Sequence, residues 1–416
     1  MQLKKYKSVR SQLTVATCGL LAVAPVAAES QPPVDVSVSS MIYSEEGRVM
    51  VNEDVLEVTL DLGDEESITG RYIFDTMSGA SHNGLPKLNT AQTVTSPSGA
   101  TVTTTDEPTF AFQDTRHSVS VDWVKPITRL LKSTNSAAIS SEYDYFSVGA
   151  SSSWAYDIND RLTTLTAGAS ANYDSISPVG GTPHGLGSEG SKKDLGDQNK
   201  TEIDALVGIT QIIDRYTLFQ ANYSIGFANG YLTDPYKLVG YLDGTLTPVS
   251  GNAYIYEKRP GSRLKNAIYF QIVRDFNDDV LRAGYRYFFD DWGVQSFTGE
   301  LKYSFSLPKD GELQLRYRIY QQTAASFYHY YLIATDHADA NPLDVVSDLS
   351  ELDYASADHR LANISSQTVG VKYSQRFIYK ESKLDIRLDR MTQVDVNKRF
   401  DELKAWIAQI AFRFVF

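Results

Sequence analysis

The alternation of apolar and polar positions is clearest at the end of the chain. From Trp406 onward every second residue, Trp406, Ala408, Ile410, Phe412, Phe414 and Phe416, falls on one face, and Gln409, Ala411 and Arg413 fall on the other. A period of two belongs to a strand with one apolar and one polar face. At ~3.3 Å per residue the stretch spans about 33 Å, and a strand tilted by ~45° crosses a hydrocarbon core in about 9–11 residues. Aromatics sit at both ends of the apolar face, where a membrane barrel carries its interfacial girdles. Taken alone, the stretch also fits an edge strand of a soluble sandwich.

The same period recurs along the chain. Val34, Val36 and Val38 alternate with Asp35, Ser37 and Ser39, and Leu56, Val58, Leu60 and Leu62 alternate with Glu57, Thr59 and Asp61. The pattern predicts strands over Val34–Tyr43, Leu56–Leu62, Ser67–Thr76, Thr115–Val124, Ala137–Tyr145, Phe146–Ile158, Leu162–Ile176 and Glu202–Ile213. It continues over Tyr216–Phe227, Leu264–Phe276, Val280–Phe289, Val294–Leu307, Glu312–Ala334, Ser366–Phe377, Leu384–Val396 and Ala405–Phe416. The connection Lys125–Ser136, with Ile127, Leu130 and Leu131 at helical spacing, reads as a short amphipathic turn. Short connections such as Asn159-Asp160-Arg161, Asp214-Arg215, Asn277-Asp278-Asp279 and Pro308-Lys309-Asp310-Gly311 use residues that tolerate a left-handed backbone. Long variable loops alternate with them, at Ser177–Thr201 and Gly230–Arg263 among others. The expected fold is all-β: a transmembrane antiparallel up-and-down β-barrel of about sixteen strands, with short periplasmic turns and long extracellular loops.

Composition is consistent with this. Tyr (26) and Phe (18) are abundant, and a mean hydropathy of −0.28 suits strands that hide their apolar residues in alternation. Lys4, Lys5, Lys7 and Arg10, the apolar segment Leu13–Val26 and then Val26-Ala27-Ala28 predict a signal peptide at 1–28, with a single barrel domain over 29–416. The one cysteine, Cys18, lies in that leader, and a lipoprotein signal there is opposed by Thr17. Removing the leader takes away four positive charges, so the net charge falls from −12 to about −16. That balance argues against nucleic-acid binding. The expected partners are outer-membrane lipid and lipopolysaccharide, the barrel-assembly machinery through the terminal Phe416, and a periplasmic or surface protein in the alternative reading below.

Three blocks go beyond barrel grammar. Gly47-Arg48-Val49-Met50-Val51-Asn52-Glu53, Tyr72-Ile73-Phe74-Asp75-Thr76-Met77-Ser78-Gly79-Ala80-Ser81-His82-Asn83-Gly84 and Tyr156-Asp157-Ile158-Asn159-Asp160-Arg161-Leu162-Thr163-Thr164-Leu165 resemble a family of Gram-negative outer-membrane proteins whose domain has no known function. The resemblance implies a barrel in the outer membrane of a Gram-negative bacterium, and implies no substrate or catalytic residue. Small residues at Ser78-Gly79-Ala80-Ser81, beside Asp75, would let the backbone fold inward and narrow the lumen.

A barrel of sixteen strands encloses water, so chemistry is sought on its inner face. The alternation aims Arg282, Arg286, Lys302, Arg316, Arg318, Lys372, Arg387 and Arg413 inward in the C-terminal half. Glu57, Asp61, Asp75, Asp122 and Asp204 face inward in the N-terminal half, with Arg71 among them. Opposed walls of unlike charge would set a transverse field that favours polar solutes; pairing between neighbouring strands would cancel it. Phe327, Tyr328, His329, Tyr330 and Tyr331 read as an interfacial girdle on a strand that protrudes above the membrane. Asp336, His337, Asp339, Asp344, Asp348, Glu351, Asp353, Asp358 and His359 form an acidic loop, read as solvated because it lacks Ca²⁺-loop spacing. No metal and no cofactor is expected. The six histidines show neither metal-ligand spacing nor a Ser/His/Asp grammar, so an enzyme is not expected either. The resulting expectation is a porin-like channel for passive passage of small hydrophilic or charged solutes. The alternative is a non-conducting barrel serving as the outer-membrane component of a multi-protein assembly.

Overall fold

The computed structural model describes residues 34–416 apart from 90, 97, 189, 246, 250–252, 335–344, 347 and 378–381. The leader and Cys18 lie outside the described residues. So do Asp336, His337, Asp339 and Asp344 of the acidic loop. Sixteen strands close into one barrel in chain order. They are β1 (Val34–Glu45), β2 (Val49–Gly63), β3 (Glu66–His82), β4 (Thr109–Pro126), β5 (Leu131–Ser141), β6 (Tyr145–Ile158), β7 (Thr163–Ile176) and β8 (Gln198–Asp214). The second half comprises β9 (Thr217–Gly230), β10 (Ser262–Phe276), β11 (Asp279–Asp290), β12 (Gln295–Leu307), β13 (Gly311–Gln322), β14 (Ile364–Arg376), β15 (Lys383–Asp395) and β16 (Leu403–Val415).

Each strand pairs antiparallel with the next, and β16 closes on β1 through pairs running from Asp35↔Val415 to Glu45↔Ala405. Closure leaves no unpaired edge, as lipid requires of a spanning sheet. The outward face carries the exposed apolar side chains, among them Val119, Val121, Trp123, Val148, Ile203, Ile225, Phe270, Leu301, Leu315, Val371, Ile386 and Ile410. Exposed Trp154, Tyr156, Tyr173 and Trp406 lie on the same face. An even-numbered barrel of this kind, greasy outside and polar inside, is the architecture of the bacterial outer membrane.

All long connections leave from one end. At the other end the links are the short segments 64–65, 127–130, 159–162, 215–216, 277–278, 308–310 and 377–382. Their backbone is left-handed at Asp64, Glu65, Asn159, Asp160, Arg161, Asn277, Asp278, Lys309 and Asp310, the conformation that Asn and Asp adopt most cheaply.

The structure departs from the sequence reading in several places. The link after β4 is not an amphipathic helical turn: β4 runs on to Pro126 and β5 starts at Leu131, because the backbone groups of Lys125 and Pro126 pair with Ser133 and Lys132. The backbone does not fold inward at Ser78–Ser81 either. β3 continues through that segment to His82, paired with β4 on one side and with Val49–Val51 of β2 on the other. Gly79 serves that pairing: its φ is +142°, and a Cβ there would meet Arg48 O at 2.2 Å. The largest difference lies after β13, which ends at Gln322 rather than Ala334. The aromatic segment beyond it turns away from the barrel wall because its side chains have a core to enter.

That core belongs to a cap at the outer end. Leu238–Leu242 pairs antiparallel with Tyr254–Tyr256 and parallel with Leu332–Ile333. Leu238, Val239, Ile255, Leu332 and Ile333 are fully buried, packed with Tyr241, Val346, Ala355 and Ala357 in one cluster and with Leu85, Val94, Tyr254 and Tyr256 in another. Phe327 is buried against Trp292 and Leu361, so these aromatics are not an interfacial girdle. The cap draws on loops from around the whole rim. The amide of Leu238 donates to Asn83 O at 2.7 Å, Tyr236 donates to Asp144, and His359 stacks on Phe400 with ring centroids 4.1 Å apart.

Candidate functional site

The site is the inner face of the barrel together with the underside of the cap. Strand register places every charged residue of the sequence reading on the face opposite the exposed apolar belt. Arg282 pairs in register with Lys302, and Lys302 with Arg316; Lys372 lies beside Arg387. Glu57 lies beside Arg71, and Asp75 beside Arg116.

Many of these charges neutralise one another locally. Arg71 Nε donates to Glu57 at 2.8 Å and Arg116 Nε to Asp75 at 2.6 Å. Arg413 Nε donates to Asp35 at 2.6 Å near the periplasmic rim. Asp61 accepts the Gly63 amide at 2.9 Å and so caps a turn. Lys302 Nζ lies 2.6 Å from Glu300, Arg316 bridges Glu300 and Asp389 at 2.7 Å each, and Lys372 lies 3.8 Å from Asp385.

Three cations stand outside this pairing. Among the described residues Arg282, Arg286 and Arg318 have no carboxylate within ion-pair distance, and neither Asp122 nor Asp204 has a cation partner. The unpaired guanidinium groups therefore lie on β11 and β13, and the unpaired carboxylates on β4 and β8. In a sixteen-strand barrel β3 stands half a circumference from β11, and β5 half from β13. The inner positions of β6 and β7, which lie between β4 and β8, include a run of small residues: Ser147, Gly149, Ser151 and Ser153 face the same side as Thr166, Gly168, Ser170 and Asn172. Such a wall takes little space from the lumen.

Asp389 is a residue the sequence reading missed. It is fully buried, yet it accepts from Arg316 Nη1 at 2.7 Å and Arg387 Nε at 2.9 Å. It fits because Gly370 stands beside it in register; a Cβ on that glycine would lie 1.9 Å from Asp389 Oδ1. The available sequence signal was the alternation that puts Asp389 on the face of Arg387. The glycine across the strand pair carried no such signal without the register.

The cap has an ionic core of its own. Asp358 accepts from Arg259 Nη2 at 2.8 Å and from Arg360 Nε at 2.8 Å, and Arg360 Nη2 reaches Asp234 at 2.8 Å. Burial opposes ionisation of Asp358, but Arg360, Lys237 and Arg259 hold its carboxyl far below the usual range. Asp358 is thus a buried ionic hub, not part of a solvated acidic loop. Beside it, burial pushes the His359 imidazole down to about 4 against the pull of Glu107, while His82 Nδ1 lies 2.8 Å from Glu107. At the rim, burial and the adjoining charge of Asp114 push Glu142 up to about 7. No group of three or more metal-binding side chains occurs among the described residues.

With this geometry in view, the chain can be placed among known proteins. The family described as "Protein of unknown function (DUF3570)" matches residues 10–410. The chain belongs to that family. No curated protein matches it in sequence. Among solved structures it is similar to the outer membrane protein opdK from Pseudomonas aeruginosa, at 8% identity and a TM-score of 0.42, over 93% of this chain and 99% of that one. A likeness to OccK2 (OpdF) of Pseudomonas aeruginosa has 7% identity and a TM-score of 0.42, over 92% and 97%. One to a bacterial polysaccharide outer membrane secretin has 9% identity and a TM-score of 0.46, over 93% and 100%. This member of the family is an integral outer-membrane barrel of a Gram-negative bacterium, as its closed sheet and apolar belt require.

Proposed function

We propose that this barrel is a channel for passive passage of small hydrophilic solutes, with a preference for anions, and not an enzyme. One observation carries the reading: Arg282, Arg286 and Arg318 stand on the inner wall without carboxylate partners among the described residues. A guanidinium group cannot shed its proton at physiological pH, so it keeps full charge toward the lumen water. Low-dielectric walls focus that field and raise the local concentration of anions. The alternation aims Arg316 inward together with Arg282, Arg286 and Arg318, but Arg316 is engaged by Glu300 and Asp389, so in this reading the selectivity falls to the other three.

Planar-bilayer recordings test the proposal. Under a KCl gradient the purified protein is expected to conduct with a reversal potential on the chloride side, and Arg282→Gln with Arg318→Gln should move that potential toward the cation side. A folded barrel that passes no current overturns the channel.

A further inference from the structure

Between the cap and the outer part of β10–β13 lies a cavity of about 370 Å³, within the range of ~300–1,000 Å³ typical of small-molecule sites. Its lining comprises Arg259, Arg263, Arg286 and Arg360, the polar Ser296, Tyr320 and Gln322, and the apolar Phe288, Val294 and Leu361. No carboxylate is among these residues. Three of the arginines are paired with acids that do not line the cavity: Arg263 Nε donates to Asp290 at 2.8 Å, Arg259 meets Glu257 and Asp358, and Arg360 meets Asp358 and Asp234. Asp358 is 3% exposed where the Arg360 side chain, which lines the cavity, is 69% exposed. Arg286 has no carboxylate partner among the described residues; its guanidinium group lies 5.5 Å from the Phe288 ring centroid, and Arg263 lies 5.9 Å from the same centroid.

Four carboxylates, Glu257, Asp358, Asp234 and Asp290, serve three of the arginines from outside the cavity lining. The fourth, Arg286, has no carboxylate within ion-pair distance among the described residues and is the cation left for a ligand. A guanidinium fork matches an oxyanion two bonds at a time, and the apolar side of the cavity wants a body to cover it. We infer that this cavity is a binding site for a small organic oxyanion, a carboxylate or phosphate head on a body about the size of one ring. The head sits on Arg286 with Arg263 and Arg360 flanking it, and the body lies against Phe288, Val294 and Leu361. Gln322 is held in place by donating to Arg360 O at 2.9 Å and Ala362 O at 2.8 Å, which ties the floor of the cavity to the cap above it.

The inference deepens the channel reading by naming a solute class for it, and it is tested without conduction. Isothermal titration of the detergent-purified full chain with benzoate, phenyl phosphate, benzyl alcohol and inorganic phosphate separates the contributions of head and body. Benzoate or phenyl phosphate should bind at least about tenfold more tightly than neutral benzyl alcohol, as expected for charge-assisted hydrogen bonds. Arg286→Ala should lose that margin. Ser296→Leu, which fills the cavity and alters no charge, should abolish binding too, and it serves where Arg286→Ala fails to give a folded, heat-modifiable barrel on gels. Equal binding of benzyl alcohol, unchanged affinity in both variants, or inorganic phosphate binding as tightly as benzoate overturns the site. Binding without conductance would leave the site standing and sink the channel; conductance without binding does the reverse.

Discussion

At the scale of residues, the inner wall is organised by a few acids that sequence alternation alone would have assigned to the lumen. Glu300 and Asp389 gather Arg316, Lys302 and Arg387 into one network. An uncompensated buried charge is expensive, so removing one member of a buried network costs about 3–5 kcal/mol. Asp389→Ala is therefore expected to destabilise the barrel by roughly that amount, seen as a lower urea midpoint for loss of the heat-modifiable band. A variant as stable as the parent would mean that Arg316 and Arg387 are satisfied elsewhere. The alternation put Asp389 on the correct face, but its burial depends on the missing side chain of Gly370, one strand away.

At the scale of elements, the period-two pattern located the spanning strands well and failed where a strand stopped. β13 ends at Gln322 although aromatic residues continue beyond it. Ser326, Phe327 and Tyr328 have the composition of a strand; what decides their path is the core formed by Trp292, Val294 and Leu361. The same holds for Leu332, which is fully buried and pairs in parallel with Tyr241. Leu332→Ala should cost the cap about 2–5 kcal/mol while leaving the spanning strands intact. Limited proteolysis should then cut the loops 231–261 and 323–363 faster, with unchanged heat modifiability of the barrel. Equal cutting rates would show that the cap is not held by this core.

At the scale of the whole molecule, the cap sits over the outer end of the barrel wall. The cap is tied across the mouth by the Arg259–Asp358–Arg360 hub. Asp358→Asn removes the charge that both guanidinium groups share, at a cost of about 3 kcal/mol or more to the cap. If the cap limits access to the channel, this variant should raise single-channel conductance in planar bilayers. An unchanged conductance with a demonstrably loosened cap would place the limiting passage lower in the barrel. The placement of these groups also belongs to this scale: closure of the sheet sets Arg282, Arg286 and Arg318 on β11 and β13 nearly across from Asp122 on β4, whereas Asp204 on β8 lies three strands from β11.

The sequence by itself determined the class of fold, a count of about sixteen spanning strands, the inward face of the named charged residues, and the end at which the turns are short. These follow from local rules: a period of two, the left-handed tolerance of Asn and Asp, and the length needed to cross a bilayer. Only the tertiary structure decided which inner charges pair with one another and which stay unpaired among the described residues, because that depends on register between strands distant in sequence. It also decided that the outer loops form a cap with its own apolar and ionic core. Their hydrophobic residues come from segments such as 85–94, 238–256 and 327–361, none of which is periodic enough to announce a core. They become one only when barrel closure brings the loop ends within reach of each other.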